Sequence, residues 1–434
     1  MPEHPAVSAD SVEVSRSAPS GAEARVLTLS TIAFTLLFAV WLMFGVLAIP
    51  IKKELGLDPV QFAWLTATAV LSGSLFRLPF GILADRFGGR NVMTALMLFT
   101  AVPCYLVSVI HSFPLLLVAA LAFGMAGNSF TVGIAWNSAW FSRQRQGVAL
   151  GTFGAGNVGA SVTKLIGPGL IALVPATGLL GGVIPGGWRF VPQLYAVLLI
   201  LCAAALWFMT PSPDRTPGAA RTLAVMLQPL RHVRVWRFGL YYVVVFGAYV
   251  ALSLWLPNYY KEVYQLPLDS AALLTCLFIF PASLLRPFGG WLSDRFGARP
   301  VTYATFIAML LITIPLALPA ELVHLDVVTF TGLVAALGIG MGIGKASVYR
   351  YVPDYFPADV GAVGGLVGCL GGLGGFFLPL AFGYLMQATG RHESCFMALA
   401  GLIAVNLLWL HMVVLDIKRK ALATDRIVRG LQTA

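Results

Sequence analysis

Residues 77–90, RLPFGILADRFGGR, and residues 286–299, RPFGGWLSDRFGAR, are two versions of one pattern. In each, an arginine stands eight residues before an aspartate, nine before a second arginine and thirteen before a third. The copies lie about half a chain length apart. Most of each stretch is apolar, so Arg77 and Arg286 fall inside what reads as membrane-spanning helix, ahead of the loop that carries the other charges. A permanent cation at that depth needs a physical reason.

The composition supports the membrane reading. The 434 residues are 58% hydrophobic and 11% charged, against about 25% charged in a typical soluble domain. The apolar runs are roughly 20 residues long and do not alternate, which favours helices over a barrel. The net charge of +10 gathers in short connections between apolar runs, as membrane topology demands, and no basic-aromatic patch suits nucleic acid. Cys104, Cys202, Cys276, Cys369 and Cys395 are scattered singly, so neither a metal site nor a disulfide framework is expected, and no cofactor is implied.

The expected fold is all-α: twelve transmembrane helices in two pseudo-symmetric six-helix bundles. The apolar segments run over 27–50, 60–84, 91–110, 114–141, 146–174, 188–209, 238–260, 270–293, 300–319, 327–353, 360–387 and 394–416. A polar tail, read as disordered, covers 1–26. The bundles cover 27–209 and 238–416, joined by a basic, proline-bearing linker over 210–237, and a basic tail follows at 417–434. Arginines collect after the second, fourth, sixth and eighth segments, at Arg86 and Arg90, Arg143 and Arg145, Arg215 to Arg237, and Arg295 and Arg299. Lys52, Lys53 and Lys261 on the other side are balanced by acids. Both termini are therefore expected in the cytoplasm. The halves echo each other again at Gly147, Gly151 and Gly154 against Gly361, Gly365 and Gly368. Matching halves with a site between them at mid-membrane are common among secondary transporters.

Arg77 and Arg286 lie roughly 12 Å along the helix from Asp85 and Asp294, at 1.5 Å per residue. That is near the middle of a hydrocarbon core about 30 Å thick. Insertion scales charge roughly 2.5–3.5 kcal/mol for each such residue. The predicted spans hold four deep cations, Arg77, Arg286, Lys164 and Lys345, and no Asp or Glu in their apolar cores. Snorkelling or bonding to backbone carbonyls could satisfy a single arginine. Two at repeat-equivalent positions point instead to an anion from outside. Arginine's planar fork suits a planar oxyanion through paired hydrogen bonds.

The segment GILADRFGGR at 81–90 and its partner GWLSDRFGAR at 290–299 resemble the loop signature of the major facilitator superfamily. That resemblance covers the whole chain and implies two bundles rocking about a central site. It makes Asp85, Arg86, Arg90, Asp294, Arg295 and Arg299 a gating motif, in which carboxylates cap neighbouring helices and arginines bind carboxylates or helix C-termini. Residues 151–168, GTFGAGNVGASVTKLIGP, and 361–379, GAVGGLVGCLGGLGGFFLP, resemble the glycine-rich signatures of the nitrate/nitrite porter family, as do GNSFTVGIAWNSAWF at 127–141 and RQRQG at 143–147.

Carried over, the resemblance makes Arg77 and Arg286 the substrate clamp. Asn157 becomes a further polar contact and Tyr242 a tyrosine near the ion. Phe130 and Phe246 become rings above and below it; helix packing is the other reading of these two. Gly154, Gly156, Gly159, Gly371, Gly372, Gly374 and Gly375 are the signature glycines. They are read as close-packing positions, because helical amides are already occupied.

Two positions depart from the best-known exchangers of that family. Lys345, in GIGKASVY at 342–349, stands where asparagine is usual, and Lys164 replaces an uncharged residue. The GKASVY form resembles the branch associated with proton–nitrate symport, so the expected function is nitrate uptake by proton symport, with nitrate/nitrite exchange as the alternative. A desolvated lysine can release its proton; an arginine effectively cannot. Lys345 and Lys164 are therefore the proton-coupling candidates, with anion affinity as the other reading of Lys345.

The expected partners are nitrate or nitrite, protons and the lipid bilayer, in the inner membrane of a prokaryote, with the chain a monomer. A sugar–proton symporter would be expected to show an intramembrane carboxylate. A non-transporting sensor would need an output domain larger than these tails. An enzyme is not expected, since no catalytic Ser/His/Asp set or phosphate loop is present.

Overall fold

The computed structural model describes residues 21–141, 149–150, 152–175, 177–179, 181, 184–216, 228–319, 322–356 and 360–432. Among these residues the structure is helical, apart from one isolated bridge between Leu179 and Ile184. The helices are α1 (Gly21–Leu55), α2 (Pro59–Leu75 continuing as Arg77–Phe87) and α3 (Gly89–Val107). Next come α4 (Phe113–Trp140), α5 (152–173) and α6 (Gly187–Met209). The second half holds α7 (Val233–Val263), α8 (Leu268–Phe296) and α9 (Ala298–Ala317). The last three are α10 (Val327–Tyr355), α11 (Val360–Thr389) and α12 (Ser394–Gln432). Ten of these are long and apolar enough to cross a membrane, and the bent α2 makes eleven. The helical stretch α5 occupies the remaining place.

Most boundaries shift by a few residues from the sequence expectation, and three of the shifts matter here. The first helix begins at Gly21, six residues inside the expected tail. The last continues to Gln432, because nothing interrupts it after the membrane and Lys420 pairs with Asp416 one turn earlier, at 2.8 Å. Within the linker, α7 begins at Val233, preceded by a 3-10 turn at Gln228–Arg231. Residues 217–227 lie outside the described residues, as do Arg143 and Arg145.

The two repeat copies fold alike. In each, the backbone leaves helical geometry one residue before the deep arginine, at Phe76 (φ −89°, ψ 9°) and Leu285 (φ −85°, ψ 4°). Pro79 and Pro287 have no N–H to give the carbonyls of Leu75 and Ser283, so the ladder is already interrupted there. The break bends α2 by 42°. Each arginine thus opens a new half-helix. That half-helix ends at Gly88 or Gly297, at φ 83° and 87°. This region admits glycine and penalises other residues, which explains the motif's glycine.

Contacts between the bundles gather in the half of the molecule away from the chain termini. There Lys52 of α1 pairs with Glu262 of α7. The Phe62 and Trp255 rings meet edge-on at 5.8 Å, and Trp64 meets Tyr384 at 3.4 Å. Gly383 of α11 lies so close to α2 that an added Cβ would stand 2.5 Å from that of Ala63. In the terminal half, contacts such as those of Asp214 tie a bundle to itself, and α11 meets the Arg77–Phe87 half of α2, where Leu78 lies 4.0 Å from an added Cβ at Gly365. Asp214 is the main tie. Its carboxylate accepts bonds from the Trp136 and Trp140 indoles (3.1 and 2.8 Å) and from the backbone N–H of Arg90 (2.8 Å) and Arg215 (2.8 Å).

Candidate anion site

Mid-membrane helix irregularities converge on one region. Besides the breaks at Phe76 and Leu285, α4 tightens to a 3-10 turn at Met125–Asn128 and α5 does so at Ala155–Val158. In α7, Val243–Gly247 form a π turn. Non-helical backbone at membrane depth is tolerated where protein buries it or a cavity is lined by it. Here it aims a few side chains at the centre.

Arg77 is only 1% exposed. Its Nε donates to the Gly73 carbonyl at 3.2 Å, and its Nη1 crosses to the Gly368 carbonyl of α11 at 2.9 Å. Its Nη2 is buried without a partner. Three rings surround the guanidinium: Phe246 at 5.1 Å, Trp41 at 5.7 Å and Phe130 at 5.8 Å. Arg286 is half-buried, faces the same Phe130 ring at 5.9 Å, and also has a buried, unpartnered Nη1. Phe130 therefore touches both arginines. Tyr242 stacks on Phe246 with ring centres 5.1 Å apart, and its hydroxyl faces Arg286 and Arg77. The two rings are four residues apart on α7, Tyr242 just before the π turn and Phe246 near its end.

Asn157 is buried, and neither side-chain atom has a partner. Its backbone carbonyl lies 3.4 Å from the Tyr249 hydroxyl of the other bundle. Leaving such groups unpaired costs about 1–3 kcal/mol each. The arrangement has donors and an amide, and no described carboxylate bonds either arginine.

The two lysines are equally deep. Lys345, with no exposed surface, donates to the Ala282 carbonyl at 3.1 Å and sits 3.1 Å from the centre of the Tyr249 ring. Lys164 donates to the Ala160 carbonyl at 2.9 Å, facing Gly45 of α1. Lys345 is close to the arginine centre, within electrostatic range of Arg286. Lys164 lies toward the sealed half, beside Cys276 of α8.

The signature glycines separate into two groups. An added Cβ would lie 2.2 Å from the Tyr242 ring at Gly371 and 2.4 Å from the Ser74 hydroxyl at Gly372. It would lie 2.6 Å from Val243 at Gly374 and 2.7 Å from Val250 at Gly375. At Gly156 and Gly159 it would meet Phe34 at 2.5 Å and the Thr35 carbonyl at 2.1 Å. At Gly154 its nearest contact is Arg286 Nη1, at 3.9 Å. Gly154 faces the site without close packing, Gly372 packs on Ser74 and also lies 3.5 Å from Arg77 Cζ, and the other five allow helices to touch.

The residues expected to form a gating motif do not gather at the centre. Asp294 pairs with Arg350 at 3.4 Å, and Arg350 also meets Asp354 at 3.5 Å. Arg299 donates to the Tyr355 hydroxyl at 2.6 Å, Arg295 stacks on Trp291 and Phe296, and Arg90 donates to the Trp207 carbonyl. In the first half, Asp214 of the linker caps the N-terminus of α3. The Asp85 side chain lies outside those described, and Arg86 is exposed in the last turn of α2 rather than in a loop.

Trp41, Ser74, Tyr249 and Tyr349 join the centre without having been singled out from sequence. Tyr349 lies edge-on to Tyr242 at 4.8 Å and donates to the Gly364 carbonyl at 2.9 Å. The spacing Tyr242, Phe246, Tyr249 puts all three on one face of α7, a signal the sequence did contain.

A two-bundle membrane helix fold around a buried cationic centre defines the class of secondary transporters, and the comparisons narrow it. The Major Facilitator Superfamily model matches residues 29–323 and 267–430. A "Probable nitrate/nitrite antiporter NarK1" of Thermus thermophilus is 61% identical, over 91% of this chain and 92% of that protein. The "Nitrite extrusion protein" of Bacillus subtilis is 30% identical over 86% of this chain and 90% of its own length. "Probable nitrate/nitrite transporter NarK2" of Mycobacterium tuberculosis is 32% identical over 82% and 88%. Among solved structures, a bacterial homologue of the human lysosomal transporter Spinster, inward-facing and occupied, superposes with a TM-score of 0.73 at 15% identity. It spans 91% of this chain and 97% of that one. The chain belongs to the nitrate/nitrite porter family of the Major Facilitator Superfamily.

Proposed function

We propose that this protein carries nitrate, and nitrite with it, across the inner membrane of a bacterium by alternating access. One observation carries the reading: two guanidiniums from repeat-equivalent positions share one aromatic ring, keep unpartnered Nη atoms, and have no described carboxylate bonded to them. A planar monoanion supplies the missing acceptors. Arg77 and Arg286 form the clamp, Phe130 and Phe246 its walls, and Asn157 and Tyr242 its remaining polar contacts. The bundles over 27–209 and 238–416 rock about this centre. With both termini in the cytoplasm, the sealed half faces outward and the structure is inward-facing. The Asp85 to Arg90 and Asp294 to Arg299 motifs then hold the cytoplasmic gate, and the chain acts as a monomer in the bilayer.

Nitrate entering a negative cell opposes about 2.3 kcal/mol per 100 mV. Uptake needs either more than one proton per nitrate or exchange for an internal anion. We favour proton symport, with Lys345, and Lys164 behind it, as the groups that load and release protons. Both are buried and donate to backbone carbonyls, Lys345 also lying over the Tyr249 ring, with no described carboxylate bonded to either. Exchange is the second reading, favoured by the printed name of the 61% identical relative. Counterflow of labelled nitrate in proteoliposomes separates them. Uptake driven by an imposed pH gradient, with no anion inside, supports symport. Strict dependence on internal nitrite replaces it with exchange, and failure of both overturns the nitrate assignment.

A further inference from the structure

A second cationic feature lies far from the centre. Near the termini, α7, α9, α10 and α12 border an open cavity of about 550 Å³. Arg234 and Arg237 of α7 and Arg299 of α9 line one side. Arg234 lies over the Tyr355 ring at 5.3 Å, Arg237 over Phe238 at 5.7 Å, and Arg299 donates to the Tyr355 hydroxyl at 2.6 Å. These contacts hold the guanidiniums together without neutralising them. The carboxylate in the lining, Asp416, is already paired with Lys420 at 2.8 Å. Among the described residues, none of the three arginines has an acidic partner.

The opposite wall is apolar: Trp409, Met412, Val413 and Ile417 of α12. It continues onto a lipid-facing strip at Val405, Leu408 and Leu415, each exposed. A free inorganic anion would gain nothing from that wall. A molecule with a phosphate head and a hydrocarbon chain satisfies both sides at once. Arginine forks match phosphate oxygens, and basic pockets between helices on this side of a membrane suit anionic headgroups.

We propose that this pocket binds the headgroup of an anionic phospholipid, with an acyl chain lying along α12. The inference is independent of the transported ion. The test is native mass spectrometry of the full-length protein released from nanodiscs containing phosphatidylglycerol or phosphatidylcholine. The wild type retains phosphatidylglycerol selectively, and the Arg234→Gln/Arg237→Gln double variant loses about tenfold in retention. Met412→Glu, which leaves the arginines in place and adds a repelling carboxylate, produces a similar loss. Nitrate counterflow and the thermal midpoint report that each variant is folded. Equal retention by wild type and both variants, or no preference over phosphatidylcholine, overturns the proposal. Displacement of the lipid by millimolar inorganic phosphate also overturns it and makes the pocket a soluble-anion site.

Discussion

The two copies of the arginine–aspartate–arginine pattern share their backbone and differ in what they hold. Both break the helix one residue before the deep arginine, and both end on a glycine at positive φ. Yet Arg77 is buried and bound to two carbonyls, one of them on the opposite bundle. Arg286 is half-buried, with no carbonyl holding it. Further along, the first copy is fastened by Asp214 through indoles and amides. The second is fastened by Asp294 and Arg350, two exposed side chains. Local sequence sets the backbone geometry; neighbours supplied by the rest of the chain set the charge environment. The asymmetry leaves one arginine held by two backbone carbonyls and the other held by the Tyr242 hydroxyl and the shared Phe130 ring.

The largest expected effect comes from removing either fork while keeping its charge. Arg77→Lys and Arg286→Lys should each lower nitrate uptake in proteoliposomes on the order of 100-fold, since each loses charge-assisted bonds of about 1.5–3 kcal/mol. Only Arg77→Lys should also lower the thermal midpoint, because of the two only Arg77 hydrogen-bonds across the bundles, to the Gly368 carbonyl, whereas Arg286 crosses by its contact with the Phe130 ring. Equal midpoints for the two variants would break the comparison.

Gly159→Ala comes next. Its Cβ would meet the Thr35 carbonyl at 2.1 Å, an overpacking that costs about 1–3 kcal/mol or more. Gly154→Ala, with 3.9 Å to its nearest contact, should leave the midpoint unchanged. Thermal unfolding in detergent measures both, and a large loss at Gly154 would contradict its site-facing position.

Asp214→Ala leaves two indoles and two amides without their acceptor, for about 2 kcal/mol. The midpoint should fall while the uptake KM stays unchanged. The smallest effect belongs to the second copy: Asp294→Asn weakens an exposed ion pair and should shift stability by less than about 1 kcal/mol. If Asp294→Asn costs as much as Asp214→Ala, the two fastenings are equivalent after all.

Much of the fold was legible because the bilayer imposes it. Apolar runs of spanning length mark helices, and the repeat marks the two halves. The arginine pair was legible because a deep, unbalanced cation is costly enough to need a reason. Asp214 was not, since a lone aspartate in a proline-rich linker carries no periodic signal and gains meaning only when Trp136, Trp140 and the start of α3 close around it. Tyr349 and Trp41 were hidden for a similar reason. In an apolar helix, an aromatic facing the centre reads the same as one facing lipid. The glycine motifs suggested close packing, and only the packed helices separate Gly154 from Gly159.

The amino-acid sequence by itself determined the class of architecture, the duplicated arginines and the shortage of membrane-embedded acid, because hydropathy and charge are summed along the chain. Tertiary structure decided which arginine is anchored, where the bundles touch and which side chains surround the centre. Those depend on groups hundreds of residues apart, whose meeting no local pattern encodes.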